Sequence, residues 1–124
     1  MRELKFRVWN KKSTGHWIEF RGGFAISLDG DLVCPTYDKS LSKVSDEFIV
    51  VQYSGRKDKN EKEIYAGDII EGTLDNPSFP TRGLIVYDSY WSAYGNKNKA
   101  GFTLLHKIRN PKIIGNIYEN PELL

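Results

Sequence analysis

A chain of 124 residues, 40% hydrophobic and 27% charged, is sized for one ordinary domain or two small lobes sharing a core, and its composition excludes wholesale disorder. A net charge of +2 singles out no class of partner, and one cysteine, Cys34, excludes an internal disulfide and fits a reducing compartment. No segment approaches the ~18–20 consecutive apolar residues of a membrane helix, and the opening residues alternate apolar with charged, unlike a leader, so a cytoplasmic protein without a membrane partner is expected.

Leu4, Phe6 and Val8 alternate with Lys5, Arg7 and Trp9, a period of two that predicts a strand with one buried face. Lys11 to Gly15 reads as a polar turn, and His16–Phe20 and Phe24–Leu28 as short strands separated by Arg21-Gly22-Gly23. Asp29-Gly30 reads as a two-residue hairpin link to Asp31–Cys34, since both residues tolerate positive φ, and Pro35 ends that strand. Thr36–Asp46 is polar and reads as a loop or a short helical turn. Glu47–Tyr53, rich in β-branched and aromatic residues, predicts a central strand.

Ser54–Glu63 holds Gly55 and a charge run and reads as an exposed connection, with Lys62–Tyr65 as a turn of 3-10 helix. Gly67-Asp68 leads into a strand at Ile69–Thr73, and Asp75–Arg82, with two prolines, reads as a loop. Gly83–Asp88 predicts a strand, Tyr90–Ala100 an aromatic excursion rich in Gly, Asn and Lys, and Phe102–Ile108 and Lys112–Tyr118 two closing strands around Arg109-Asn110-Pro111. No amphipathic helix stands out, so the predicted class is all-β. The stretch from Tyr65 to Tyr118 is long enough to close a small SH3-like barrel by itself.

Three stretches resemble one family. They are the opening Arg2-Glu3-Leu4-Lys5-Phe6-Arg7-Val8-Trp9-Asn10-Lys11-Lys12, the central Gln52-Tyr53-Ser54-Gly55-Arg56-Lys57-Asp58-Lys59-Asn60 through Ile64-Tyr65-Ala66-Gly67-Asp68-Ile69-Ile70, and the closing Ile114-Gly115-Asn116-Ile117-Tyr118-Glu119-Asn120-Pro121-Glu122-Leu123-Leu124. In order and spacing they are similar to the signatures of the YopX family of phage and prophage proteins. Arg56 stands where that family's pattern usually has an apolar residue. The resemblance implies a phage-derived, mainly β protein acting in the host cytoplasm, and it transfers no catalytic residue. The expected architecture is one YopX-like domain over 1–124, with an N-terminal hairpin sheet (about 1–53) packed on a C-terminal SH3-like barrel (about 64–124).

The motif also reads physically. Gly55 and Gly67 suit tight turns, Asp68 suits a backbone N–H acceptor ahead of Ile69, and Tyr65 offers a ring to pack and a hydroxyl to satisfy. His16, His106 and Cys34 are too scattered to hold zinc, so no metal, cofactor or catalytic residue is expected. The sharpest candidate surface is basic and aromatic: Tyr87, Tyr90, Trp91 and Tyr94 run into Lys97, Lys99, Lys107 and Arg109. Residues 95–112 carry five cations and no acid, which suits stacking on bases and contact with phosphates. The same rings equally suit a core or an oligomer interface, where Trp9 and Trp17 are further candidate anchors. The expected function is a non-catalytic binding or self-assembling accessory protein, whose partner is a second copy or another host or phage protein; a nucleic-acid-binding module using the 87–112 face is the alternative.

Overall fold

The computed structural model describes residues 4–11, 16–18, 25–35, 41–43, 48–75 and 78–124. The turn at 12–15, the Arg21-Gly22-Gly23 link and most of Thr36–Asp46 lie outside the described residues. The chain divides into two compact units, one of Phe6–Val51 and one of Met1–Lys5 with Gln52–Leu124.

In the Phe6–Val51 unit, β1 (Phe6–Asn10) pairs antiparallel with β2 (His16–Ile18). The register sets Trp9 opposite Trp17, and the two rings meet edge to face with centroids 5.0 Å apart. The Arg7 guanidinium lies 4.1 Å from the centre of the Trp17 ring. A three-stranded sheet follows: β3 (Ala25–Ile26), β4 (Leu32–Pro35) and β5 (Leu41–Lys43), in that order. Its first hairpin is a three-residue loop, Leu28–Gly30, and not the two-residue link expected. Ser27 and Asp31 close it, the Gly30 N–H donates to the Ser27 carbonyl at 2.9 Å, and Gly30 alone takes the left-handed conformation, at φ 88°. β5 falls inside a stretch predicted as loop or helix, because pairing with β4 outweighs the weak strand preference of Leu-Ser-Lys.

In the second unit, β6 (Phe48–Lys57) enters from the first and pairs with β7 (Glu63–Tyr65), setting Tyr53 opposite Tyr65 and Lys57 opposite Glu63. The expected exposed connection at Ser54–Glu63 and the expected 3-10 turn at Lys62–Tyr65 are therefore strand over much of their length. Gly55, at φ 88°, sits in the register shift between the two pairs and lets the strand continue. A five-stranded antiparallel sheet completes the unit: β8 (Asp68–Leu74), β9 (Phe79–Asp88), β10 (Ala93–Asn98), β11 (Gly101–Leu104) and β12 (Arg109–Asn116). The strand order is β11-β10-β9-β8-β12. The chain returns from β11 to β12 through a 3-10 turn at Leu105–Lys107, and a second such turn, Pro121–Leu123, ends it.

The fold is all-β, its sheets are antiparallel and, among the described residues, none closes into a barrel. β11 and β12 are sheet edges with no pairing to each other, so the closure expected of an SH3-like barrel is not formed. β9 starts at Phe79, before the expected loop ends, because Leu74 pairs with Phe79 and Thr73 with Pro80. Pro80 is tolerated because β10 pairs β9 only from Leu84 onward, so its missing N–H deprives no neighbour there. Among the described residues, the second unit is built on a cluster of Ile64, Ile70, Ile85, Leu105 and Ile108, with Leu74, Tyr94 and Ile113 packed on it.

Candidate functional site

The β9–β10 hairpin carries most of the predicted aromatic face. Its four-residue loop, Ser89–Ser92, is closed by the Trp91 N–H donating to Asp88 Oδ1 at 3.1 Å, with Ser92 left-handed at φ 49°. Tyr87 and Tyr94 face each other across the two strands, ring centroids 5.2 Å apart. Tyr94 is partly buried and its hydroxyl donates to Gln52 Oε1 at 3.3 Å, so it is held by the core and not offered to a ligand. Tyr90 and Trp91 meet edge to face at 5.3 Å in the loop. Tyr87, Tyr90 and Trp91 remain 53%, 86% and 56% exposed, an aromatic cluster at one end of the hairpin.

The cations do not gather there. Lys97 pairs with Leu84, three residues along β10 from Tyr94, which puts it about 10 Å further along the strand and on the opposite sheet face. Lys99 sits in the β10–β11 turn at the far end, where Asn98 Oδ1 accepts the Ala100 N–H at 2.8 Å. Only Lys107 approaches the aromatic end, sharing a shallow pocket of about 260 Å³ with Trp91, Phe102 and Leu104. Arg109 is partnered, its Nε lying 2.6 Å from Asp75 Oδ1. The single basic, aromatic face read from sequence is thus split along the hairpin. The interface candidates divide as well: Trp9 is buried, 5% exposed, while Trp17 is half-buried beneath Arg7.

The central motif holds structure together. Gly67 is left-handed at φ 90°, its N–H donates to the Ile85 carbonyl and its carbonyl accepts the Ile117 N–H, both at 2.9 Å. Asp68, 2% exposed, accepts the Tyr65 N–H on Oδ2 at 2.8 Å, and the Tyr65 ring lies 5.6 Å from Tyr53. Two residues beyond that expectation matter as much. Arg56 Nη1 and Nη2 donate to the Leu105 and Ile108 carbonyls at 2.6 and 3.3 Å, tying β6 to the 3-10 turn. Asp58, 4% exposed, accepts the N–H groups of Asn60 and Lys62 on Oδ1 and of Ile113 on Oδ2. Burial alone raises its pKa, but the hydrogen bonds from Lys62, Ile113 and Asn60 and the Lys62 charge together hold it below the ordinary carboxyl value. Asp58-Lys59-Asn60 is a turn signature that marks such an acceptor in sequence; nothing local marks the reach of Arg56.

No group of His, Cys, Asp and Glu among the described residues could hold a metal ion; the His16 and Cys34 side chains lie outside them, and His106 is exposed. Among those residues no helix is long and apolar enough to cross a membrane.

The geometry defines an all-β protein of two small units, turned by buried aspartates and left-handed glycines, with an aromatic hairpin end. The YopX protein family matches residues 5–124, so this chain belongs to the YopX family. The crystal structure of YopX from Bacillus subtilis is similar over 100% of this chain and 99% of its own, at 20% identity and a TM-score of 0.56. The crystal structure of a protein from Enterococcus faecalis is similar over the same shares, at 23% identity and a TM-score of 0.62. Both likenesses are of fold. No curated protein matches the chain.

Proposed function

We propose that this YopX-family protein is a phage-derived, cytoplasmic binding module without catalytic activity, and that it associates through the aromatic end of the β9–β10 hairpin with a second copy of itself. The observation that carries this reading is the joint exposure of Tyr87, Tyr90 and Trp91 on one hairpin end. Tyrosine and tryptophan are enriched at interface anchors because each covers a large area with few rotors to freeze. The sheet order supports it too: four strands in meander, then a fifth returning through a 3-10 turn to pair with the first, is the order of SH3-like barrels. We read the unit as an unclosed SH3-like roll, a scaffold that holds binding residues on its loops.

Sedimentation velocity across a concentration series tests the reading. The expected result is a species heavier than 14.2 kDa for the native chain and monomer for the Tyr90→Ala/Trp91→Ala double variant. A native chain that stays monomeric throughout would sink the proposal.

The nucleic-acid alternative draws on Trp91 and Lys107, a stacking ring and a cation lining one pocket. Against it, Arg109 and Arg82 are each held by an acid. Retention on single-stranded DNA at about 50 mM salt, lost steeply as salt rises, is its signature, and no retention there removes it.

A further inference from the structure

At the other end of the same hairpin the sheet carries a pocket of about 620 Å³, within the size range of small-molecule sites. Leu84 of β9 and Leu123 and Leu124 of the closing turn give it apolar walls; Arg82, Lys97 and Lys99 give it cations, and no acidic side chain lines it. Arg82 and Leu84 lie two residues apart on one strand, and Lys97 is the cross-strand partner of Leu84, so strand alternation puts all three on one face. The Arg82 guanidinium is already engaged, Nε donating to Glu71 Oε1 at 3.0 Å. Lys97 and Lys99 have no ion-pair partner among the described residues. Leu124, 54% exposed, adds apolar surface left in water at the rim.

We infer that this pocket is a binding site for a small amphiphilic anion, with an acyl or aryl body against Leu84, Leu123 and Leu124 and a carboxylate at Lys97 and Lys99. Apolar walls alone would accept a neutral alkane chain, and exposed lysines alone would accept any anion. Their meeting in one concavity selects a molecule with both parts: the body gains by leaving water, and the head supplies the charge that two unpaired ammonium groups lack. Nothing in the site discriminates by geometry as an arginine fork does, so recognition rests on charge sign and apolar length. The site is independent of the aromatic end and does not require self-association.

The test is a titration of the full chain with decanoate, followed by amide chemical shifts, with decanol and decyltrimethylammonium as matched arms. Decanoate is expected to saturate and to shift the β9, β10 and 121–124 amides. Decanol and the cation are expected to bind about tenfold more weakly, the loss typical of one charged contact. The exposed double variant Lys97→Gln/Lys99→Gln should lose the preference for decanoate over decanol, and Lys97→Glu/Lys99→Glu should reverse it toward decyltrimethylammonium. Tyr90→Ala/Trp91→Ala should leave decanoate binding unchanged, which separates this site from the proposed self-association surface. Equal binding of decanoate and decanol, shifts spread away from the pocket, or lysine variants that bind decanoate like the native chain would overturn the inference. So would displacement of decanoate by single-stranded DNA or by anionic phospholipid vesicles, which would assign the lysines to a macromolecular surface.

Discussion

Asp58 Oδ2 accepts the backbone N–H of Ile113 at 3.1 Å, joining the turn after β6 to the edge strand β12 across 55 positions of sequence. Beside it the Lys59 N–H donates to the Pro111 carbonyl at 2.7 Å. The pair occupies part of the free edge of the sheet, next to the register shift between Ile113 and Gly115, where β8 alone does not satisfy β12.

The Asp58 carboxyl has its folded pKa depressed below the ordinary 3.8. Its stabilising contribution is therefore complete above the unfolded value and is lost as pH falls from about 4 through the folded value. Acid titration of urea stability should show that loss in the native chain and a shallower acid limb in Asp58→Asn. At neutral pH, Asp58→Ala should cost about 2 kcal/mol, because three N–H groups lose their shared acceptor.

Arg56 should behave as a structural residue despite its charge. Arg56→Ala removes both donors to the Leu105 and Ile108 carbonyls and is expected to lower stability by about 2 kcal/mol in urea unfolding. Arg56→Lys should recover at most half, since one ammonium cannot span two carbonyls as the planar guanidinium does. A neutral Arg56→Ala would contradict the contact.

Gly67→Ala faces two separate penalties. The backbone is at φ 90°, and a Cβ would lie 2.9 Å from Tyr118 Cε2. A loss of about 2–3 kcal/mol is expected by thermal or urea unfolding. Adding Tyr118→Ala should relieve the steric part and leave the backbone part, so the double variant should be less destabilised than the sum of the two single ones.

Glu61 is a non-glycine residue held left-handed at φ 66°, exposed at the corner after Asp58. Glu61→Gly should raise stability by about 0.5–1 kcal/mol, because the strain is released and no buried contact is lost. A lower midpoint in urea would show that the Glu61 side chain contributes more than its backbone costs.

Strands with strong alternation or β-branched runs, such as Phe6–Asn10, Phe48–Tyr53 and Gly83–Asp88, were legible from residues alone. Ala93–Asn98 was not: Ala-Tyr-Gly-Asn-Lys-Asn has poor strand preference and is a strand because β9 and β11 flank it on both sides. The candidate face fared likewise. The aromatic residues were visible as a group, but sequence nearness in 87–112 says nothing of which end of a hairpin or which face of a sheet each side chain occupies. Strand alternation and turn placement then separated Lys97 and Lys99 from Trp91.

Local chemistry by itself determined the all-β class and the family, because periodicity and the choice of Gly, Asp and Asn near corners act over a few neighbouring residues. Only the tertiary structure decided that Arg56 reaches a carbonyl pair 49 and 52 positions away, that Asp58 clips an edge strand, and that two leucines of the closing turn meet two lysines of β10 and its following turn. Those contacts depend on sheet order and register, which set distances between residues remote in the chain and leave no mark on the residues beside them.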